Sequence, residues 1–192
     1  MTSVFAEPPR TPKAEATRRL LLDLAARLFI DRGYEAVSLR DLAIEAGVTK
    51  GAIYGHFRSK GQLLVEVIRT ELKARDAELD TDLAKSDPAA MLGLFIHPGS
   101  RELRMLQVDA AAASRHDADV AAGIEELHES RTRWIVESLG GTRDAETIGF
   151  VISALSAGVG VQESHGRDLP DVEAWQRIVA QIFGLPMKHK KK

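Results

Sequence analysis

The sequence predicts an all-α protein, and three observations support that fold class. Apolar residues recur at helical spacing, as in Leu21, Leu24 and Leu28, whereas no segment shows the alternation of a half-buried strand. Aromatic residues make up only 5% of the chain and alanine is plentiful, a composition that favours helices over β-sandwiches. Glycines and capping residues separate the periodic segments, which is typical of helices joined by short turns.

The first helix is predicted from about Pro12 to Arg32, with one apolar face that includes Leu28 and Phe29. Gly33 follows it as a C-terminal stop. Residues 1–15 are expected to form a flexible N-terminal arm, and residues 186–192 a solvated basic tail.

Two short helices and a long one are predicted next. Ser38 and Asp41 have the spacing of a capping box, Gly47 suits a sharp turn, and Thr49 can cap a second short helix. Ser59 and Gln62 form another capping pair, which begins a long helix. Two short helices joined by a glycine turn and braced on both sides make a helix-turn-helix, here residues 38–57 within a domain at 16–60.

The rest of the chain, residues 61–185, is predicted to form a larger helical domain. Turn-like segments rich in Gly, Pro, Asp and His interrupt it. They leave candidate helices near 101–114, 119–139, 144–163 and 171–184.

Composition limits the classes of protein to be considered. The 192 residues suffice for one sizeable domain or a small module joined to a larger one, and the absence of cysteine fits a reducing, cytoplasmic setting. The longest uncharged run, Thr147–Gln162, is too short to span a bilayer, so no membrane partner is expected. Residues 1–60 carry a net charge of +3 although the whole chain carries −2, which favours an anionic partner for the N-terminal part.

The helix-turn-helix presents a set of side chains suited to DNA. Gly51 and Gly55 allow close approach of the backbone, and Thr49 and Tyr54 can donate hydroxyl hydrogen bonds to phosphates. Lys50 is suited to base edges or phosphates. The full set of candidate DNA contacts is Ser38, Arg40, Thr49, Lys50, Ala52, Tyr54, His56 and Lys60.

The alternative for this set is structural. Ser38, Thr49 and Ser59 could serve only as helix caps, and the lysines could be solvated surface. That interpretation is reasonable for any single residue, but it leaves the combination at helix-turn-helix spacing unexplained.

The segment "LLLDLAARLFIDRGYEAVSLRDLAIEAGVTKGAIYGHFRSKGQLL" resembles the N-terminal domain of the TetR family of bacterial transcriptional regulators. The resemblance covers roughly residues 17–70 and rests on "LFIDRGYEAVSLRDLAIEAGV", "KGAIYGHF" and "SKGQLL". It implies a three-helix DNA-binding domain followed by a larger helical domain for ligand binding and dimerisation. Family members usually carry a polar or aromatic residue at the position of Gly55, so one customary phosphate contact is absent here.

No catalytic arrangement accompanies this segment. The chain has no nucleophile elbow, no phosphate-binding loop and no zinc-protease motif, so it is expected not to be an enzyme and to need no cofactor. The histidines lack metal-ligand spacing, and no metal is expected. Asp117 and Asp119 beside His116 could bind a cation, but a polar turn between helices is the preferred interpretation.

Two further sets of residues complete the hypothesis. A small, largely apolar effector is expected to bind among Met105, Asp109, Leu127, Arg131 and Trp134, although ordinary core packing would explain each residue singly. A homodimer is expected to form through Phe150, Ile152, Gly158, Trp175, Ile178 and Ile182.

Two functional hypotheses follow from these patterns. The favoured one is a ligand-responsive homodimeric repressor that is released from a palindromic operator in double-stranded DNA by its effector. The alternative is a small helical binding module or enzyme without a DNA role, which leaves Lys50, Tyr54 and Lys60 unexplained.

Overall fold

A computed structural model describes residues 11–78, 96–138, 144–182 and Gly184. Within these ranges it contains eight α-helices, one 3₁₀ turn and no strand, which confirms the all-α fold class. The helices are α1 (Pro12–Arg32), α2 (Leu39–Ala46), α3 (Lys50–Tyr54), α4 (Lys60–Glu78), α5 (Arg101–Ala113), α6 (Ala118–Ser138), α7 (Ala145–Ser164) and α8 (Val172–Ile182). The 3₁₀ turn at Pro98–Ser100 leads into α5.

The predicted helix ends of the N-terminal part are confirmed. Gly33 ends α1 with a φ of 80°, and Gly47 ends α2 in the left-handed conformation with a φ of 65°. A non-glycine residue at Gly47 would be strained by the clash of its Cβ with the backbone. The chain therefore turns sharply between α2 and α3.

Helix α1 begins where the apolar periodicity predicts, so its first residues overlap the end of the predicted arm at residues 1–15. The helix already begins at Pro12, because the Thr11 side chain accepts a hydrogen bond from Ala14 N at 3.3 Å and proline is well suited to the first helical position. Residues 1–10 of the predicted arm and the predicted tail at 186–192 lie outside the described residues.

The first three helices pack around one apolar centre, which continues along α4. Leu42, Ile53 and Phe57 are buried against α1, and Leu64 and Ile68 extend the same core into the second part of the chain. Helix α4 thus contributes to the packing of both parts. The division of the chain at residue 60 stays a prediction.

Helices α4 and α6 run side by side in the same direction. Ser59 donates a hydrogen bond to Asp119, Val65 fills the space beside Gly123, and Arg69 pairs with Glu126 at 3.3 Å. A Cβ at Gly123 would lie 2.6 Å from the Val65 methyl groups, so glycine permits this close approach. This alignment places successive turns of the two helices opposite one another.

Candidate nucleic-acid interface

Helices α2 and α3 form an exposed polar face on the N-terminal part, hereafter the head (residues 11–59). Among the predicted DNA contacts, Ser38, Arg40, Thr49, Lys50 and Tyr54 are exposed, and Ala52, His56 and Lys60 are half-buried. The inward positions of the same helices carry the buried Leu42 and Ile53. The structure therefore brings most of the predicted set to one accessible surface, while the roles of these residues stay a prediction.

Lys50 and Tyr54 lie one helical turn apart at the centre of this face. The Lys50 ammonium is 5.7 Å from the centroid of the Tyr54 ring. Such an arrangement attracts the cation to the face of the ring, weakly at an exposed site. It holds a positive charge beside a phenol hydroxyl, a combination suited to adjacent phosphate oxygens.

Ser38 and Thr49 are helix caps, as the structural alternative proposed. Ser38 Oγ accepts from Asp41 N at 3.2 Å and donates to Asp41 Oδ2 at 2.6 Å, which completes the capping box. The hydrogen bonds from the Ser38 side chain and backbone lower the pKa of Asp41. Thr49 Oγ1 accepts from Ala52 N at 3.1 Å, and its hydroxyl proton can still be donated outward. Capping and DNA contact are therefore compatible at Thr49.

Lys60 faces the interior of the head more than its surface. Its ammonium donates to the Tyr34 carbonyl oxygen at 3.0 Å and lies 4.0 Å from the centroid of the Tyr34 ring. These contacts explain how a cation is tolerated in the first turn of α4, where the helix dipole opposes it. A phosphate contact by Lys60 stays a prediction that requires the side chain to leave these partners.

Sequence reasoning did not identify Ile44 as part of this face. It lies one turn after Arg40 on α2, and 68% of its surface is exposed. An exposed isoleucine beside polar DNA-contacting candidates can meet the methyl group of thymine. The helical spacing from Arg40 to Ile44 is the signal that could have found it.

A carboxylate cluster joins the head to the second part of the chain. Asp109 accepts from Tyr34 N at 2.8 Å, and Asp117 accepts from the Tyr34 hydroxyl at 3.3 Å. Burial first, and then the neighbouring Asp117 carboxylate, raise the pKa of the Tyr34 phenol. Asp119 pairs with Arg58 at 2.7 Å. The preferred interpretation of Asp117 and Asp119 as a polar turn agrees with these contacts. Among the described residues, no three or more His, Cys, Asp or Glu side chains form a cluster that could hold a metal ion.

A cavity of about 380 Å³ lies between α4, α5, α6 and α7. Of the five predicted effector residues, Leu127 and Arg131 line it. Asp109 is not among the described lining residues, and its carboxylate accepts a hydrogen bond from Tyr34 N at 2.8 Å, so its contact with an effector stays a prediction. Met105 and Trp134 are also absent from the described lining. The centroid of the Trp134 ring lies 4.5 Å from the guanidinium carbon of Arg131, so the ring packs against a side chain that does line the cavity.

A buried ion pair in the wall of this cavity was not predicted. Arg104 is 2% exposed, and its guanidinium donates to both carboxylate oxygens of Glu163, with a distance of 3.0 Å to Oε1. The same guanidinium also donates to the His97 carbonyl oxygen at 3.1 Å. The pair connects α5 with α7. No sequence signal links two residues 59 positions apart.

The predicted dimer residues lie on α7 and α8. Phe150 and Ile182 are 72% and 71% exposed, and Ile178 is exposed as well. Trp175 is half-buried and Gly158 is exposed, whereas the Ile152 side chain lies outside what the structure describes. Large apolar side chains at this exposure are the usual mark of an interaction surface.

The packing of α2 and α3 across a glycine turn, with an exposed polar face, defines the class of helix-turn-helix proteins. The model of the family described as bacterial regulatory proteins, tetR family, matches residues 21–67. Over this segment the chain is similar to that family.

The relatives match mainly in the head. The chain is 42% identical over 92 residues to the HTH-type transcriptional repressor KstR2 of Mycolicibacterium smegmatis, which covers 46% of this chain and 44% of that protein. It is 47% identical over 55 residues to the HTH-type transcriptional regulator AcrR of Shigella flexneri, covering 29% and 26% of the two chains. The match thus spans less than half of either relative.

Solved structures resemble the whole fold. A transcriptional regulator from Saccharomonospora viridis in complex with choline superposes with a TM-score of 0.69 at 22% identity, covering 92% of this chain and all of that one. A TetR-family regulator from a Rhodococcus species gives a TM-score of 0.73 at 17% identity, with 91% and 100% coverage. At this identity the likeness establishes the fold alone. The described residues contain no helix long and apolar enough to cross a membrane.

Proposed function

We propose that the protein is a homodimeric transcriptional repressor that binds a palindromic operator and releases it when a small effector binds. The observation that carries this proposal is the exposed face with Arg40, Lys50 and Tyr54, borne on helices whose opposite sides are buried. Such a face can enter the major groove while α1 and α4 hold it rigidly. The alternative without a DNA role offers no reason for an exposed Lys50–Tyr54 pair beside an exposed Ile44.

The expected result for the purified protein is sequence-specific, salt-dependent binding to near-palindromic DNA. Each phosphate contact by a cation adds about 0.9 to the slope of log affinity against log salt, because bound counterions are released. A gel-shift titration with the DNA upstream of the protein's own gene, at several salt concentrations, measures both properties. Equal affinity for this DNA and for random DNA of the same length would contradict the proposal.

The proposed dimer places the exposed apolar residues of α7 and α8 against those of a second copy. Phe150, Ile178 and Ile182 would then be covered, and a two-fold axis would present two heads to the two halves of the operator. We expect light scattering to give the mass of a dimer at micromolar concentration. Ile182→Asp should shift the distribution toward monomer, whereas Gln181→Asp, exposed at the neighbouring position, should not.

The proposed switch acts through α4, which begins at the head and passes along the cavity with Ile68 and Leu72. An effector that fits one separation of the two heads better than another shifts the population toward that separation. The coupling is reciprocal, so operator DNA should weaken effector binding by the same factor as the effector weakens DNA binding.

A further inference from the structure

We propose that the cavity binds an apolar molecule that carries a single carboxylate. This inference rests on the proposed function, because the bound molecule would be the effector of the proposed repressor. The inference itself concerns only the binding of that molecule to the protein. It depends on the distribution of apolar and basic side chains along the cavity.

The apolar end of the cavity lies toward the head. Because α4 and α6 run in parallel from the contact between Ser59 and Asp119, residues early in each helix lie nearest the head. Ile68 and Leu72 of α4 face the cavity there, opposite Ile124 and Leu127 of α6. Four aliphatic side chains from two adjacent helices make a surface suited to a hydrocarbon body.

The basic end lies one turn further from the head on both helices. Arg75 follows Leu72 on α4, and Arg131 follows Leu127 on α6. His97 lies at the same end, because the space beside its neighbour Gly99 is occupied by the Arg75 guanidinium. His97 Nδ1 accepts from Gly99 N at 3.2 Å, which leaves Nε2 as the nitrogen able to donate. Cationic and neutral donors therefore meet at one end.

The described residues that line the cavity include no Asp or Glu side chain. Arg104 lines the cavity, and its guanidinium is already paired with the carboxylate of Glu163. A cationic ligand would thus enter a space with arginines and without a free acidic partner. A carboxylate can accept paired hydrogen bonds from a guanidinium, whose planar fork matches its geometry.

The size of the cavity agrees with a single chain-like or small ring-containing acid. Its volume of about 380 Å³ lies at the lower end of the range found for small-molecule sites. Ser153 and Ser156 on α7 add hydroxyl groups to the same wall and can contact polar atoms of the ligand.

Three probes with a linear chain of ten carbons, counting the carboxyl carbon of the acid, test the charge preference: decanoate, decan-1-ol and decyltrimethylammonium, each below any micelle concentration. Isothermal titration calorimetry on the full chain without DNA measures their binding. Decanoate should bind about tenfold to a hundredfold more tightly than decan-1-ol, the range expected for hydrogen bonds to a charged group. The ammonium compound should bind most weakly. Equal or tighter binding of either other probe, or binding by none, would overturn the proposal.

Variants locate the carboxylate within the cavity. Arg131→Gln should abolish the advantage of decanoate over decan-1-ol, and Arg75→Gln provides an independent test from α4. Arg133→Gln removes the same charge from an exposed position of α6 that does not line this cavity, and should leave the preference unchanged. An effect of Arg133→Gln equal to those of the two cavity variants would also refute the assignment.

Circular dichroism and the unfolding midpoint establish that each variant is folded. Operator binding is measured separately without any probe. A protein that binds its operator but prefers decan-1-ol would disprove the carboxylate inference while leaving the proposed DNA function intact. A protein that binds no operator but still prefers decanoate would disprove the proposed DNA function while leaving the carboxylate inference intact.

Discussion

Replacing Glu163 with alanine is expected to lower the free energy of unfolding by about 3–5 kcal/mol, the cost typical of leaving one member of a buried ion pair without its partner. Arg104 is 2% exposed, so its charge cannot be solvated in place when the carboxylate is removed. The hydrogen bond to the His97 carbonyl oxygen remains but carries no opposite charge. Urea denaturation followed by circular dichroism measures the change.

Two control variants separate lost charge pairing from the loss of an acidic residue in general. Glu129→Ala removes an exposed carboxylate from α6 and should change stability by less than about 0.5 kcal/mol. The double variant Arg104→Met with Glu163→Leu removes both charges and should recover most of the stability lost in Glu163→Ala, since apolar replacements of buried pairs are often neutral. A Glu163→Ala protein as stable as the wild type would contradict this prediction, because it would show that water or another group compensates the charge of Arg104.

Replacing Lys50 with alanine is expected to reduce operator affinity by roughly fivefold to 150-fold for each half-site, which corresponds to about 1–3 kcal/mol. Lys50 is exposed at the first position of α3, with its ammonium near the Tyr54 ring, so it is available to either a phosphate or a base edge. A dimer loses the contact twice. Fluorescence anisotropy with labelled operator measures the loss.

The salt slope and a matched control identify the kind of contact. If Lys50 binds phosphate, the slope should fall by about 0.9 per half-site and all sequences should weaken alike. If it reads a base edge, discrimination between operator variants should also fall. Arg133→Ala removes a positive charge from α6 and should change neither quantity strongly; a loss equal to that of Lys50→Ala would indicate a general charge effect.

The local structure of the head could be predicted in detail because its signals are short in range. A cap needs partners only three or four residues apart, as between Ser38 and Asp41, and a left-handed glycine such as Gly47 is governed by its own backbone sterics. Buried positions such as Leu42 and Ile53 follow from helical periodicity.

The lining of the cavity could be predicted only in part, because a cavity has no local pattern in the sequence. Leu127 and Arg131 share a helical face and were found together, whereas Asp109 belongs to a contact with Tyr34, 75 residues earlier in the chain. A polar residue on a helix carries no mark that distinguishes a ligand contact from a hydrogen bond to another segment. The same limit hid Arg75, which faces the cavity from α4.

The sequence by itself therefore determined the helices, the caps of the head, the helix-turn-helix and the resemblance to a family, all of which depend on residues close together in the chain. Only the tertiary structure decided how the parts meet: the binding of Lys60 by Tyr34, the pairing of Arg104 with Glu163, and the alignment of α4 with α6. These contacts join residues 26 and 59 positions apart. The packing of whole helices selects the partner of each buried charge. A charged side chain that is removed from water needs a polar partner, and only the tertiary fold decides which residue lies close enough to serve.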